Sequence, residues 1–303
     1  MNIICAVFSF ILAITISNFQ DGYTKDTIIA DTIDNDTTII NTKDTNITQF
    51  NYNNSIKNLP LNTVNDIGNY IISPLKWNKR EFLTNSLLIS GTVGGLFLDK
   101  EIKNHFQHAN SSELNLLSKN IGRVGSLPVI AVGISGSYIT SVIINDPILK
   151  SASLTAAEGV FISSLFTVAF KYTLQRQRPS ITDDNFAFRK DKFDGDSYLS
   201  FPSGHTGRSF VIATVFSEAY KESHPFVPYV AYTTASLVGI SRIYDNQHWF
   251  SDVFIGAALG YSIGKFISNR RLIKKSNIPK FDIVLHETAF NQPITVFKIT
   301  LEI

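Results

Sequence analysis

The 303-residue chain is long enough to bury a sizeable core, and with 44% hydrophobic residues it fits one large domain or two small ones. Its formal net charge of +2 gives no sign of a nucleic-acid surface. The single cysteine, Cys5, rules out an internal disulfide and, lying in the N-terminal apolar run, leaves no thiol nucleophile or thiolate metal site beyond it.

Residues 1–20 open with an apolar run, Ile3 to Ile16, of the length of a signal-peptide core and short for a membrane span. No Lys or Arg precedes it, so an uncleaved anchor stands beside the export signal as the alternative. The strongly polar segment that follows favours export. Residues 21–58 mix Thr, Asn, Asp and Ile with few aromatics and no sustained period, which predicts a disordered spacer.

Ordered sequence begins near Leu59. Helices are predicted over about Trp77–Asn104, Gly125–Ile144, Ser153–Leu174, Thr206–Lys221, Phe226–Ile243 and Trp249–Ser268. The first carries small residues suited to close packing. Asn145-Asp-Pro147, Pro179 and His224-Pro225 punctuate the set as helix boundaries do. These elements predict an all-α domain over 59–270, a bundle of about six core helices. Residues 271–303 form a tail whose partly alternating, β-branched pattern predicts a short hairpin. Several apolar runs are shorter than the ~20 residues of a span and are interrupted by Asn85 or Glu158, which points to a globular periplasmic or membrane-associated domain.

Three polar clusters interrupt the apolar pattern, each at a predicted helix end. In Lys171-Tyr-Thr-Leu-Gln-Arg-Gln-Arg178-Pro179, seven positions separate Lys171 from Arg178, so a helix continuing to Arg178 would project both from one face. Two stacked cations suit an anion with several oxygens. In Ser200-Phe-Pro-Ser203-Gly204-His205-Thr206, Ser203 is a candidate N-cap, Gly204 admits close backbone approach, and the helix start offers free N–H groups beside His205. In Ser241-Arg242-Ile-Tyr-Asp-Asn-Gln-His248-Trp-Phe-Ser-Asp252, the four-residue spacing lets Asp252 accept the Nδ1–H of His248 and leave Nε2 nucleophilic. Each cluster alone has a bland reading. Together they hold what phosphoryl transfer requires.

The patterns K-x6-R-P, P-S-G-H and S-R-x5-H-x3-D, intact between Lys171 and Asp252, resemble the signature of the type-2 phosphatidic acid phosphatase and vanadium haloperoxidase superfamily. The resemblance implies a hydrolase acting on phosphate esters, lipid phosphates or soluble monoesters, without a metal or other cofactor. It implies that His248 attacks phosphorus while Asp252 holds its ring. His205 protonates the leaving oxygen and then activates water. Lys171, Arg178, Arg242, Ser203 and Gly204 hold the equatorial oxygens. A haloperoxidase holding vanadate in the same cradle is the alternative, and a non-catalytic membrane protein of this fold is the third reading. An export signal would place the site outside the inner membrane, in the periplasm or at the outer face of the bilayer.

Four further features read as structural. His105 and His108 lack an evident third ligand and suit a surface helix. Glu158 suits a buried hydrogen bond. The acidic stretch Ile181–Tyr198 suits a solvated loop. Arg208, one turn beyond His205, has no signature role and reads as structural or solvated.

Overall fold

The computed structural model describes residues 59–108, 111–188, 195–272, 280–287 and 293–300. The expected leader and spacer over 1–58 lie outside the described residues. Eight α-helices follow one another: α1 (Leu59–Ile72), α2 (Lys79–His108), α3 (Ser112–Val124), α4 (Leu127–Ile143), α5 (Pro147–Leu174), α6 (Gly204–Tyr220), α7 (Val227–Tyr244) and α8 (Phe250–Arg271). Strands β1 (Lys280–Glu287) and β2 (Pro293–Thr300) pair antiparallel in the C-terminal tail. The helical domain is therefore all-α.

Helix α6 is the centre of the bundle, packed against α8, α7 and α5, with α2 outside α8, α4 outside α5 and α3 outside α7. Its neighbours come close because small residues face it. A Cβ on Gly260 of α8 would lie 2.1 Å from the Gly207 carbonyl oxygen of α6, so only glycine permits this crossing distance. Ile162 of α5, Val211 and Val215 of α6, and Ile263 and Ile267 of α8 fill the space on either side and are fully buried.

Three elements differ from the expectation, the first being α1, Leu59–Ile72, where no helix was predicted. Residues 112–124 form a further unpredicted helix, although Leu114, Leu117, Ile121 and Val124 recur at helical spacing; Ser111 caps it by accepting from the Leu114 amide at 3.2 Å. The helix after Asp146 starts six residues earlier than Ser153, because Asp146 caps it through the Ile148 and Leu149 amides and Pro147 occupies its first turn.

The expectation that the helices are too short to span is also corrected. Helices α2, α5 and α8 run for 30, 28 and 22 residues and are apolar enough to cross a membrane, and α3 with α4, bent by 53° at their junction, make a fourth candidate if taken together. Glu158 does not interrupt α5. It is buried against Arg271 of α8, with an Nε–Oε2 distance of 3.2 Å, so no charge meets the outer face there. Phe82, Leu83, Leu87, Val93 and Phe97 of α2 and Val132, Ile139 and Ile143 of α4 instead stand exposed on the outside of the bundle. This apolar exterior associates the chain with a membrane.

Candidate functional site

Up-and-down packing brings the C-terminus of α5, the N-terminus of α6, the C-terminus of α7 and the N-terminus of α8 to one end of the bundle. Lys171, Gly204 and His205, Arg242, and His248 occupy these four termini or the short connection between α7 and α8. Separated by up to 77 positions in sequence, they share one mouth.

The first cluster reaches this mouth by a route other than a continuous helix. Helix α5 ends at Leu174, and Gln175 adopts the left-handed conformation (φ 44°) with its N–H on the Lys171 carbonyl. The chain then runs extended: Arg176 bridges to Phe188, and the Arg178 amide donates to the Ser197 carbonyl at 2.9 Å. Lys171 and Arg178 thus do not share a helix face; the helix ends before the spacing can act. Lys171 donates its Nζ to the Leu199 carbonyl, and Arg178 reaches the site from the loop, held by Asp196 (Nη2–Oδ2 2.9 Å) and the Gln247 side chain (2.9 Å). The acidic stretch is accordingly more than a solvated loop, because Asp196 orients a cation of the site.

Ser203 occupies the N-cap position of α6 but does not cap through its side chain; its hydroxyl pairs with the Thr206 hydroxyl at 2.9 Å and its amide donates to the Asp252 carbonyl at 2.9 Å. Gly204 is buried beneath Thr167 of α5 and Arg208. His205 follows in the first turn. Burial, and after it the charges of Arg208, Arg242, Lys171 and Arg178, push its imidazole down to about 3. Arg242 is paired with Asp245 at 2.6 Å.

His248 is 3% exposed, and its Nδ1 lies 2.7 Å from the Ser200 carbonyl oxygen. Asp252 does not take this proton: its Oδ2 is 3.9 Å from Nδ1. The reason is competition. Oδ2 already accepts from the Ser200 hydroxyl at 2.5 Å and from the Trp249 amide at 2.9 Å, closing the first turn of α8 as a capping box. Asp252 therefore fixes the segment that carries the carbonyl, and the carbonyl fixes the ring. Because a carbonyl can only accept, Nδ1 carries the hydrogen and the Nε2 lone pair is free. Burial, then the charges of Lys171, Arg178 and His205, hold the His248 imidazole well below its ordinary range, which favours the neutral ring there as it does at His205. The same charges identify the groups converging on it.

Behind Asp252 stands a residue that the sequence reading passed over. Arg176 is fully buried and donates to Asp252 Oδ1 (2.5 Å), Ser251 Oγ (2.7 Å), Asp99 Oδ2 (2.7 Å) and the Asn185 carbonyl, with its guanidinium 5.4 Å from the Trp249 ring centroid. Asp99, near the end of α2, also accepts from the Ser251 amide (2.8 Å) and hydroxyl (2.6 Å). The signal was present in sequence as Asp99, one of three carboxylates on α2, and one arginine inside the K-x6-R-P pattern, but neither names its partner. Among the described residues no group of three His, Cys, Asp or Glu side chains could hold a metal ion. His105 and His108 are exposed on α2.

Two imidazoles among lysine and arginine side chains at one end of a helical bundle form an arrangement that can hold an oxyanion and offer it a nucleophilic nitrogen. Comparison with known proteins gives the class this segment resembles: residues 152–274 match the model of the PAP2 superfamily. It is 44% identical over 80 residues to lipid A 1-phosphatase of Porphyromonas gingivalis, covering 26% of this chain and 18% of that protein. It is 31% identical over 116 residues to decaprenylphosphoryl-5-phosphoribose phosphatase of Mycobacterium tuberculosis, covering 38% and 59% respectively. The chain thus spans 18% to 59% of the length of these curated relatives. Among solved structures it is similar to Aquifex aeolicus LpxE, with a TM-score of 0.44, 25% identity, and coverage of 57% of this chain and 95% of that one.

Proposed function

We propose that this chain is a membrane-associated phosphatase that hydrolyses lipid phosphate esters, without a metal, through a phosphohistidine on His248. The observation that carries the reading is the 2.7 Å contact between His248 Nδ1 and the Ser200 carbonyl. It leaves a neutral imidazole with Nε2 free inside a cluster of cations. In the first step Nε2 attacks phosphorus in line, the bond to the ester oxygen breaks, and His205, once protonated, donates its proton to that oxygen. The second step reverses the roles: His205 takes a proton from water, whose oxygen displaces His248 and releases inorganic phosphate. Lys171, Arg178 and Arg242, with the Ser203 hydroxyl and the Gly204 amide, hold the three equatorial oxygens as charge develops on them. Asp252, Ser200 and Arg176 position the nucleophile and touch no substrate.

The lipid as leaving group is supported by the apolar exterior described above and by the relatives, both named as phosphatases of lipid-linked substrates. We place the site at the outer face of the membrane, with residues 1–20 as an export signal or anchor and 21–58 as a spacer ahead of the 59–270 domain. Incubation of the full chain with a 32P-labelled phosphatidate, followed by alkaline denaturation, should trap an acid-labile phosphoenzyme that His248→Ala lacks. A phosphoenzyme that persists in His248→Ala, or turnover lost to EDTA and restored by magnesium, would remove this mechanism.

A further inference from the structure

Helix α3 packs onto the site end of the bundle through a strip of small residues. Ser118 donates its hydroxyl to the Ser241 carbonyl at 3.1 Å. The Arg242 guanidinium fills the place of a Gly122 side chain, its Nη2 1.5 Å from the point a Cβ would occupy. At the junction with α4, the Gly125 carbonyl accepts from Arg208 Nη2 at 3.2 Å. Arg208 thus has the structural role its sequence position allows, tying α6 to the bend between α3 and α4.

Two further strips run along α3. Leu114, Leu117, Ile121 and Val124 recur at spacings of three and four and share one face, and all but the half-buried Ile121 are exposed. Lys119 and Arg123, one turn apart, are exposed on the opposite side. Arg123 donates to the Asn120 side chain at 3.1 Å, and among the described residues neither cation has a carboxylate within ion-pair distance. Helix α4 differs in kind. Its 17 residues include no Asp, Glu, Lys, Arg or His. At 1.5 Å per residue they run for about 25 Å, close to the ~30 Å of a bilayer's hydrocarbon core. The 53° bend falls where the charged sequence of α3 gives way to the uncharged sequence of α4.

We propose that α3 is an interfacial helix, lying at the headgroup level of the leaflet beside the site, with Leu114, Leu117 and Val124 against the acyl boundary and Lys119 and Arg123 among anionic headgroups. A helix crossing the hydrocarbon core would bury both cations, and one held clear of the bilayer would leave the apolar strip in water. At the boundary each strip meets its own medium. Continuity identifies the partner as lipid: the strip is followed by exposed Leu127, Val129 and Val132 of α4, part of the apolar exterior already described. The unpaired cations select an anionic surface. Because Gly122 and Ser118 back Arg242 and Ser241, contact with the leaflet sets the depth at which Arg242 stands. The placement of α3 is independent of the phosphatase reading. Its consequence for substrate, that a lipid phosphate meets Arg242 without leaving the headgroup layer, rests on that reading.

The test places single nitroxide labels through Leu117→Cys, Val124→Cys, Lys119→Cys and Arg123→Cys, each in the full chain carrying Cys5→Ser, in vesicles of phosphatidylcholine and phosphatidylglycerol. The ratio of collisions with oxygen, which concentrates in lipid, to collisions with a water-soluble nickel chelate should be about fivefold or more higher at Leu117 and Val124 than at Lys119 and Arg123. Water-dominated collisions at all four positions would put α3 in solvent, and lipid-dominated collisions at all four would put it inside the core. Protection of Leu117 and Val124 from both reagents would mean that protein covers the strip. Each of these results overturns the placement. The Leu117/Lys119 and Val124/Arg123 pairs are read separately, so a variant that fails to fold leaves the other pair to decide. Leu114→Gln/Leu117→Gln should raise KM for phosphatidate in the same vesicles about fivefold or more, while hydrolysis of a soluble aryl phosphate stays within about twofold of wild type. An unchanged KM removes α3 from substrate capture. A wild type that hydrolyses neither ester overturns the phosphatase reading and leaves the labels to decide the placement.

Discussion

Replacing Arg176 with methionine removes one cation from between two carboxylates, each with no side-chain exposure. Asp99 would keep its bonds from the Ser251 amide and hydroxyl, and Asp252 those from the Ser200 hydroxyl and the Trp249 amide. Both would lose the only arginine or lysine within ion-pair distance among the described residues. Breaking a buried ion pair by removing one partner costs about 3–5 kcal/mol, because the remaining charge stays desolvated. For a domain of this size each kcal/mol moves Tm by roughly 2–4 °C, so a fall of about 6–20 °C is expected. Trp249 packs against the guanidinium and is one of two tryptophans, so intrinsic fluorescence during heating of the detergent-solubilised protein reports the transition. The double variant Arg176→Met/Asp99→Asn removes one of the stranded charges and should be more stable than Arg176→Met alone. A Tm within about 2 °C of wild type, or a double variant whose losses simply add, would refute the idea that Arg176 is a charge clamp.

Other outcomes follow from the same geometry. Ser200→Ala keeps the carbonyl that holds His248 and loses only the hydroxyl bond to Asp252, so kcat should fall by no more than about tenfold, whereas Asp252→Ala should lower it by far more. His205→Ala should slow alkyl phosphates more than aryl phosphates by about 10²–10⁴-fold, since only a poor leaving group needs the proton; equal losses would remove His205 from that role. With both imidazoles depressed in the folded protein, the unfolded chain takes up protons near pH 6.5 that the folded chain does not. Stability should therefore fall as pH drops below 6.5, with a slope approaching about 1.4 kcal/mol per pH unit for each histidine, and denaturant midpoints at pH 6.5 and 5 in the wild type and His205→Ala check it. Gly260→Ala places a methyl 2.1 Å from the Gly207 carbonyl and should destabilise the α6–α8 crossing by about 1–3 kcal/mol, read as a lower Tm.

The sequence by itself determined the helical class, the place of most helices and the residues that line the mouth. Apolar runs with Pro and Asn-Asp-Pro breaks are local signals, and two imidazoles and several cations can be picked out by type and spacing. It could not determine how those residues meet. The Lys171–Arg178 spacing implied a shared helix face, but a left-handed Gln175 ends the helix and turns Arg176 inward. The His248–Asp252 spacing implied a direct bond, but capping of α8 and the Ser200 hydroxyl engage the carboxylate, and a main-chain carbonyl takes the ring instead. Arg176 finds Asp99 across 77 positions, and Glu158 finds Arg271 across 113. Pairings of this kind arise when separate helices pack and exclude water, since a buried charge must then find its partner wherever the fold supplies one.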